Sequence, residues 1–200
     1  MYQTNGTTLL TTVAGRADMS AGIRIAAVLF MTVLTAAAAQ VSIPLPFTPV
    51  PLTLQPMIVL LGGAALGSRL GMASQVLYLF AGLAGLPVFA SSPLPQGVLR
   101  VLGPTGGFLM AYPLAAFVTG WLAERGFDRR YLTSVAAMVA GLSVIFTCGV
   151  FWLAWFMVPA PVGLPRALVL GLYPFVAADL VKVLLASAVL PGVWKIFKLS

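Results

Sequence analysis

Long apolar runs recur throughout this 200-residue chain, and all but two of its charged residues can be placed at or near the end of one of them. Charged residues make up 8% of the chain and hydrophobic residues 60%, whereas a soluble domain carries about 25% charged residues. Mean hydropathy is +1.05. The sequence therefore reads as an all-α integral membrane protein. At about 20 to 25 residues per span plus short connections, its length allows six helices and leaves little for an extramembrane domain.

Residues 1 to 19 are polar and Thr-rich and read as a cytoplasmic N-terminal tail. The first apolar run, Ile23 to Ala39, lies too far in and lacks the cleavage pattern of a secretory signal peptide. Residues 20 to 200 form a single transmembrane domain, and Asp18 and Ser20 are candidate caps for its first helix. Five prolines in the 16 residues from Val41 to Pro56 cannot continue a helix and hold the chain extended. That segment is apolar, so it is expected to pack as a stiff cap on the helix ends. Further helices are expected over Met57 to Leu66, Leu70 to Leu83, Gly106 to Leu122, Leu132 to Val158 and Ala167 to Leu190. The longest loop, Ala84 to Gly107, is long enough to be functional.

The basic residues orient this arrangement. Arg16, Arg24, Arg69, Arg125, Arg129, Arg130, Lys195 and Lys198 fall on the side of the N-terminal tail, and Arg100 and Arg166 on the other. By the positive-inside rule both termini are cytoplasmic, which requires an even number of spans and agrees with six. The formal charge of +7 is accounted for by the bilayer rather than by nucleic acid. The proline-rich segment, the long loop and the Pro159 to Arg166 turn then all face outward.

The two charges without such a place are Asp179 and Lys182, inside the apolar run that begins at Tyr173. Three residues apart on a helix, they share one face with Phe175 and Ala186. If the last helix runs from Ala167 to Leu190, its midpoint is near Ala178 and the pair lies at mid-depth. An ionisable group at the centre of a span costs roughly 2.5 to 3.5 kcal/mol on insertion scales. A buried ion pair gains little over an apolar pair of equal volume, so pure stabilisation is a weak reason to keep one. The pair marks a site.

What that site can do is narrowed by what the chain lacks. Asp18, Glu124 and Asp128 are all in tails or loops, so no second intramembrane acid is present for a carboxylate pair or a proton relay. No histidine and only one cysteine, Cys148, are present, which leaves no obvious transition-metal ligands and no base for a serine or cysteine hydrolase. None of the three lysines follows a glycine, so the phosphate-binding Gly-Lys-Ser/Thr loop is missing and ATP is not used directly. A binding membrane protein without enzymatic activity or cofactor remains. Its ligand should offer N–H donors to Asp179 and an acceptor to Lys182, as a cyclic urea does. The rest should be apolar, given lining candidates Tyr78, Phe89, Phe108, Trp152 and Phe175.

Four stretches carry a family resemblance: Ile43 to Gln55, Gly82 to Ala90, Gly103 to Phe108, and Asp179 with Lys182. Together, over about residues 20 to 190, they resemble the BioY family, the biotin-capturing S-components of energy-coupling factor (ECF) vitamin transporters. The resemblance implies six membrane helices with both termini inside, in a bacterial-type cytoplasmic membrane. It also implies that Asp179 and Lys182 contact the ureido ring of biotin, and that ATP is used only by partner subunits. Those partners are a transmembrane coupling (T) subunit and two ATPase subunits. For the biotin carboxylate, Arg100 and the backbone N–H groups of Thr105, Gly106 and Gly107 are candidates, with Gln55 a weaker polar one. The family's Ala-x-x-x-Ala docking pattern on helix 1 is replaced here by Gly22-x-x-x-Ala26 and Thr32-x-x-x-Ala36. An S-component for a different vitamin, or a stand-alone biotin carrier, are the alternatives.

Overall fold

The computed structural model describes residues 8–13, 20–91 and 95–196. Arg16, Asp18 and Lys198 lie outside the described residues. The chain runs through α1 (Leu9–Val13), α2 (Ala21–Gln40), a hairpin of β1 (Ser42–Ile43) and β2 (Leu52–Thr53), α3 (Gln55–Leu66) and α4 (Ser68–Leu83). Then follow α5 (Val98–Leu102), α6 (Gly106–Ala123), α7 (Tyr131–Trp155), α8 (Leu164–Gly171) and α9 (Tyr173–Ile196). Four of these, α2, α6, α7 and α9, are long and apolar enough to cross a membrane. At 12 residues, α3 is about 18 Å long and α4, at 16, about 24 Å. Both fall short of a bilayer core of about 30 Å.

Local chemistry explains where the helices begin. Ser20 caps α2 by accepting from the Ile23 N–H at 3.4 Å. α3 starts at Gln55 rather than Met57, because Pro56 is tolerated in the first turn, where its missing N–H has no partner to lose. A single residue, Gly67 at φ 87°, turns α3 into α4, a conformation that suits glycine. The Glu124 carboxylate at the end of α6 then accepts from the Ser68 N–H at 2.7 Å and the Ser68 hydroxyl at 2.8 Å. That remote cap lets α4 begin two residues before the expected Leu70.

At the centre, α6 packs against α3, α4, α5 and α7. Small residues let the backbones meet: a Cβ on Gly63 of α3 would run into the Ala116 carbonyl of α6. Large apolar side chains point outward, among them Leu29, Phe30 and Val33 of α2 and Val181, Leu184 and Leu185 of α9. A surface of that kind suits lipid and not water. At the end where α6 meets α7, the Trp194 indole of α9 donates to Asp128 at 2.7 Å. Burial pushes the Asp128 carboxyl above its ordinary range, against the opposing pull of that hydrogen bond.

Two expected boundaries are corrected. α7 ends at Trp155, not Val158. The last helix is not continuous from Ala167 but breaks at Leu172 into α8 and α9. Pro174 has no N–H to give the carbonyl of Leu170, four residues back. That carbonyl instead accepts from the Thr48 hydroxyl of the proline-rich hairpin, at 2.6 Å. With α9 starting at Tyr173, Asp179 is its seventh residue and Lys182 its tenth, so the pair lies in the first half of the helix, nearer the hairpin than mid-depth.

Candidate ligand site

The proline-rich segment does more than stay extended. Ser42 pairs with Thr53 and Ile43 with Leu52, antiparallel, and the returning strand and its approach, Val50 to Thr53, close one side of a cavity. α9 contributes Phe175 and Asp179; α6 contributes Phe108, Leu109 and Tyr112; α7 contributes Ile145 and Phe146. Phe89 and Ala90 of the long loop, Arg100 of α5, Thr105, Gln55 and Pro56 complete the wall. The space is about 590 Å³, counting the part continuous with the outside.

Asp179 is 4% exposed, and its Oδ1 accepts from the Lys182 ammonium at 2.6 Å. The same ammonium donates to the Thr53 carbonyl at 2.6 Å. The acid therefore faces the cavity, while the base sits behind it and fastens β2 to α9. Among the described residues, two side-chain hydrogen bonds join the hairpin to the α8 and α9 pair: Thr48 to Leu170, and Lys182 to Thr53.

On the opposite wall three successive carbonyls are held by side chains. Val88 accepts from the Tyr78 hydroxyl at 3.0 Å, Phe89 from Gln96 at 3.3 Å and Ala90 from Arg100 Nη2 at 2.7 Å. This fixes the Phe89 ring, which meets Tyr78 edge-on at 5.5 Å between centroids. Arg100 is 2% exposed, and its Nε has no hydrogen-bond partner among the described residues. Burial pulls its guanidinium below the ordinary value, opposed by its electrostatic interaction with Tyr78. A buried, partly unpaired cation on a cavity wall is a ready partner for an anion.

Of the residues singled out in the sequence, Asp179, Phe89, Arg100, Thr105, Gln55, Phe175 and Phe108 meet in this one cavity. Lys182, Tyr78, Gly106, Gly107 and Trp152 do not line it. Tyr78 stands behind Gln55, whose amide donates to its hydroxyl at 2.6 Å. A Cβ on Gly106 would strike the Val101 carbonyl, and one on Gly107 the Trp152 side chain, so these glycines let α6 pack against α5 and α7. The Gly106 N–H is spent on the Gly103 carbonyl at 3.1 Å. Trp152 donates to that same carbonyl at 2.9 Å. Tyr112, Ile145 and Phe146 were not anticipated. Tyr112 follows Phe108 by four residues on α6, and that spacing was the available signal.

A model of the BioY family matches residues 11–199. A probable biotin transporter BioY of Pyrococcus horikoshii is 44% identical over 74% of this chain and 82% of its own length. The biotin transporter BioY of Thermotoga maritima is 38% identical over 79% and 88%, and that of Rhizobium etli 33% identical over 80% and 86%. Among solved structures, the S-component for biotin from an ECF-type ABC transporter superposes with a TM-score of 0.77 at 25% identity, covering 89% of this chain and 95% of that one.

Proposed function

The chain belongs to the BioY family, and from that premise we propose that it captures biotin and supports its uptake as the substrate-binding S-component of an ECF-type transporter. The observation that carries this reading is the buried Asp179 carboxylate, paired with Lys182, on the wall of an apolar cavity closed by the proline-rich hairpin. Asp179 accepts from the ureido N–H groups. Lys182 is its counter-charge and holds the Thr53 strand, which sets the carboxylate against the ligand. Arg100 takes the carboxylate at the far end of the valeryl chain, with Thr105 beside it. Gln55, Phe89 and Phe175 enclose the middle, and Tyr78 backs Gln55 from behind. Gly106 and Gly107 serve by bringing α6 close enough for Phe108 and Tyr112 to reach the cavity.

In this reading the short α3 and α4 join the four long helices to make six spans, with both termini cytoplasmic, within one domain over residues 20–200 behind a tail over 1–19. The membrane is a bacterial-type cytoplasmic membrane. Energy comes from a transmembrane coupling subunit and two ATPase subunits, the present chain being neither ATPase nor enzyme. The eight-to-two distribution of basic residues supports the orientation.

The test is uptake of labelled biotin by a host lacking its own biotin transporter, with this chain expressed alone and with coupling and ATPase subunits. Uptake that depends on this chain and rises with the partner subunits is expected. Equal uptake with and without partners and ATP supports a stand-alone carrier, and no uptake above background in either case refutes the proposal.

A further inference from the structure

Most polar groups on the cavity wall are already engaged within the protein. The Thr53 hydroxyl donates to Gln55 Oε1 at 3.3 Å, Gln55 Nε2 to Tyr78 at 2.6 Å and the Thr105 hydroxyl to the Arg100 carbonyl at 3.4 Å. Asp179 is an acceptor, and Lys182 gives two of its three N–H donors to Asp179 and the Thr53 carbonyl without reaching the wall. Among the described residues, Arg100 Nε is a buried donor without a partner, and no hydrogen bond is found for the hydroxyl of Tyr112, which also lines the cavity.

Tyr112 is 3% exposed, and its ring lies 6.4 Å from that of Tyr78. Tyr112 lines the cavity, and an aromatic hydroxyl there is available to whatever enters it. Phenylalanine would fill the same space without offering that hydroxyl. Tyr112 of α6 and Asp179 of α9 line the same cavity.

We infer that the Tyr112 hydroxyl donates a hydrogen bond to the ring carbonyl of the ligand, which makes Tyr112 a specificity-determining residue that reads an acceptor beside the N–H donors read by Asp179. This rests on the reading that the ligand is biotin. A cyclic urea presents two N–H groups and one carbonyl oxygen on a rigid ring. Asp179 and Tyr112 supply the complementary acceptor and donor from two different helices, α9 and α6.

The experiment compares wild type with Tyr112→Phe for equilibrium binding of biotin and of its guanidinium analogue, in which a protonated imino group replaces the ureido oxygen. That analogue keeps the N–H edge and the valeryl chain but has no ring acceptor. Tyr112→Phe is expected to weaken biotin about tenfold while leaving the analogue unchanged, so that the preference for biotin over the analogue falls by the same factor. Thermal unfolding of the ligand-free variant should match wild type, which shows that the fold is intact. Equal weakening of both ligands would show that the Tyr112 hydroxyl does not tell a ring acceptor from a ring donor, and no change in either would show that its hydroxyl is unused; each overturns the inference while leaving biotin capture standing. If wild type binds neither ligand, the functional reading itself fails and the inference with it.

Discussion

Arg100 sits at 2% exposure with one guanidinium nitrogen committed to the Ala90 carbonyl and Nε unpaired. A charge so placed gains further stabilisation when an anionic acceptor arrives. Replacing Arg100 with Gln should therefore weaken biotin roughly tenfold to a hundredfold, the range for losing a hydrogen bond to a charged group. Biotin methyl ester should lose much less, so competition binding of acid against ester checks the assignment; equal losses would remove Arg100 from contact with the carboxylate. The charged residues of the cavity were legible in the sequence because a charge in an apolar run, or the lone cation of an outer loop, has few explanations. Tyr112 was not, since an aromatic residue in an apolar helix is most often packing and only the finished cavity shows its hydroxyl unspent. Nor was the second partner of Lys182, a backbone carbonyl 129 positions away.

At the scale of elements, the proline-rich segment and the break before α9 turn out to be one feature. Pro174 strips the Leu170 carbonyl of its helical donor, and Thr48 of the hairpin supplies another at 2.6 Å. The sequence showed the prolines on both sides and the extended character of residues 41–56. It could not show that one hydroxyl joins them, because the contact spans 122 positions and has no periodic signature. The same proline explains why one helix from Ala167 to Leu190 was a wrong expectation. Thr48→Val keeps the shape of the side chain but leaves the carbonyl without its donor. Biotin should then dissociate up to about tenfold faster with little change in association, as a chase of bound label with unlabelled biotin would record; an unchanged dissociation rate would mean that the Thr48 tie does not hold the hairpin over the ligand.

Across the whole molecule, both ends of the bundle are clasped by polar contacts while its flanks are apolar. Glu124 with Ser68 and Asp128 with Trp194 close one end; the hairpin, with its ties to Leu170 and Lys182, closes the other, where the cavity lies. Hydropathy made the helical membrane class evident, and the proposed orientation rests on the charge bias alone. The count of spans was less legible, since α3 and α4 are joined through one glycine and each is shorter than a bilayer core. The central claim is that this bundle holds biotin through Asp179. Equilibrium binding of labelled biotin to the purified protein, wild type against Asp179→Asn, tests it most directly. Saturable binding is predicted for wild type, displaced by biotin and not by thiamine or riboflavin. In the variant it should weaken by a hundredfold or so, as expected when one member of a buried charged pair is removed. Undiminished binding in Asp179→Asn, or displacement by thiamine or riboflavin as readily as by biotin, would contradict it.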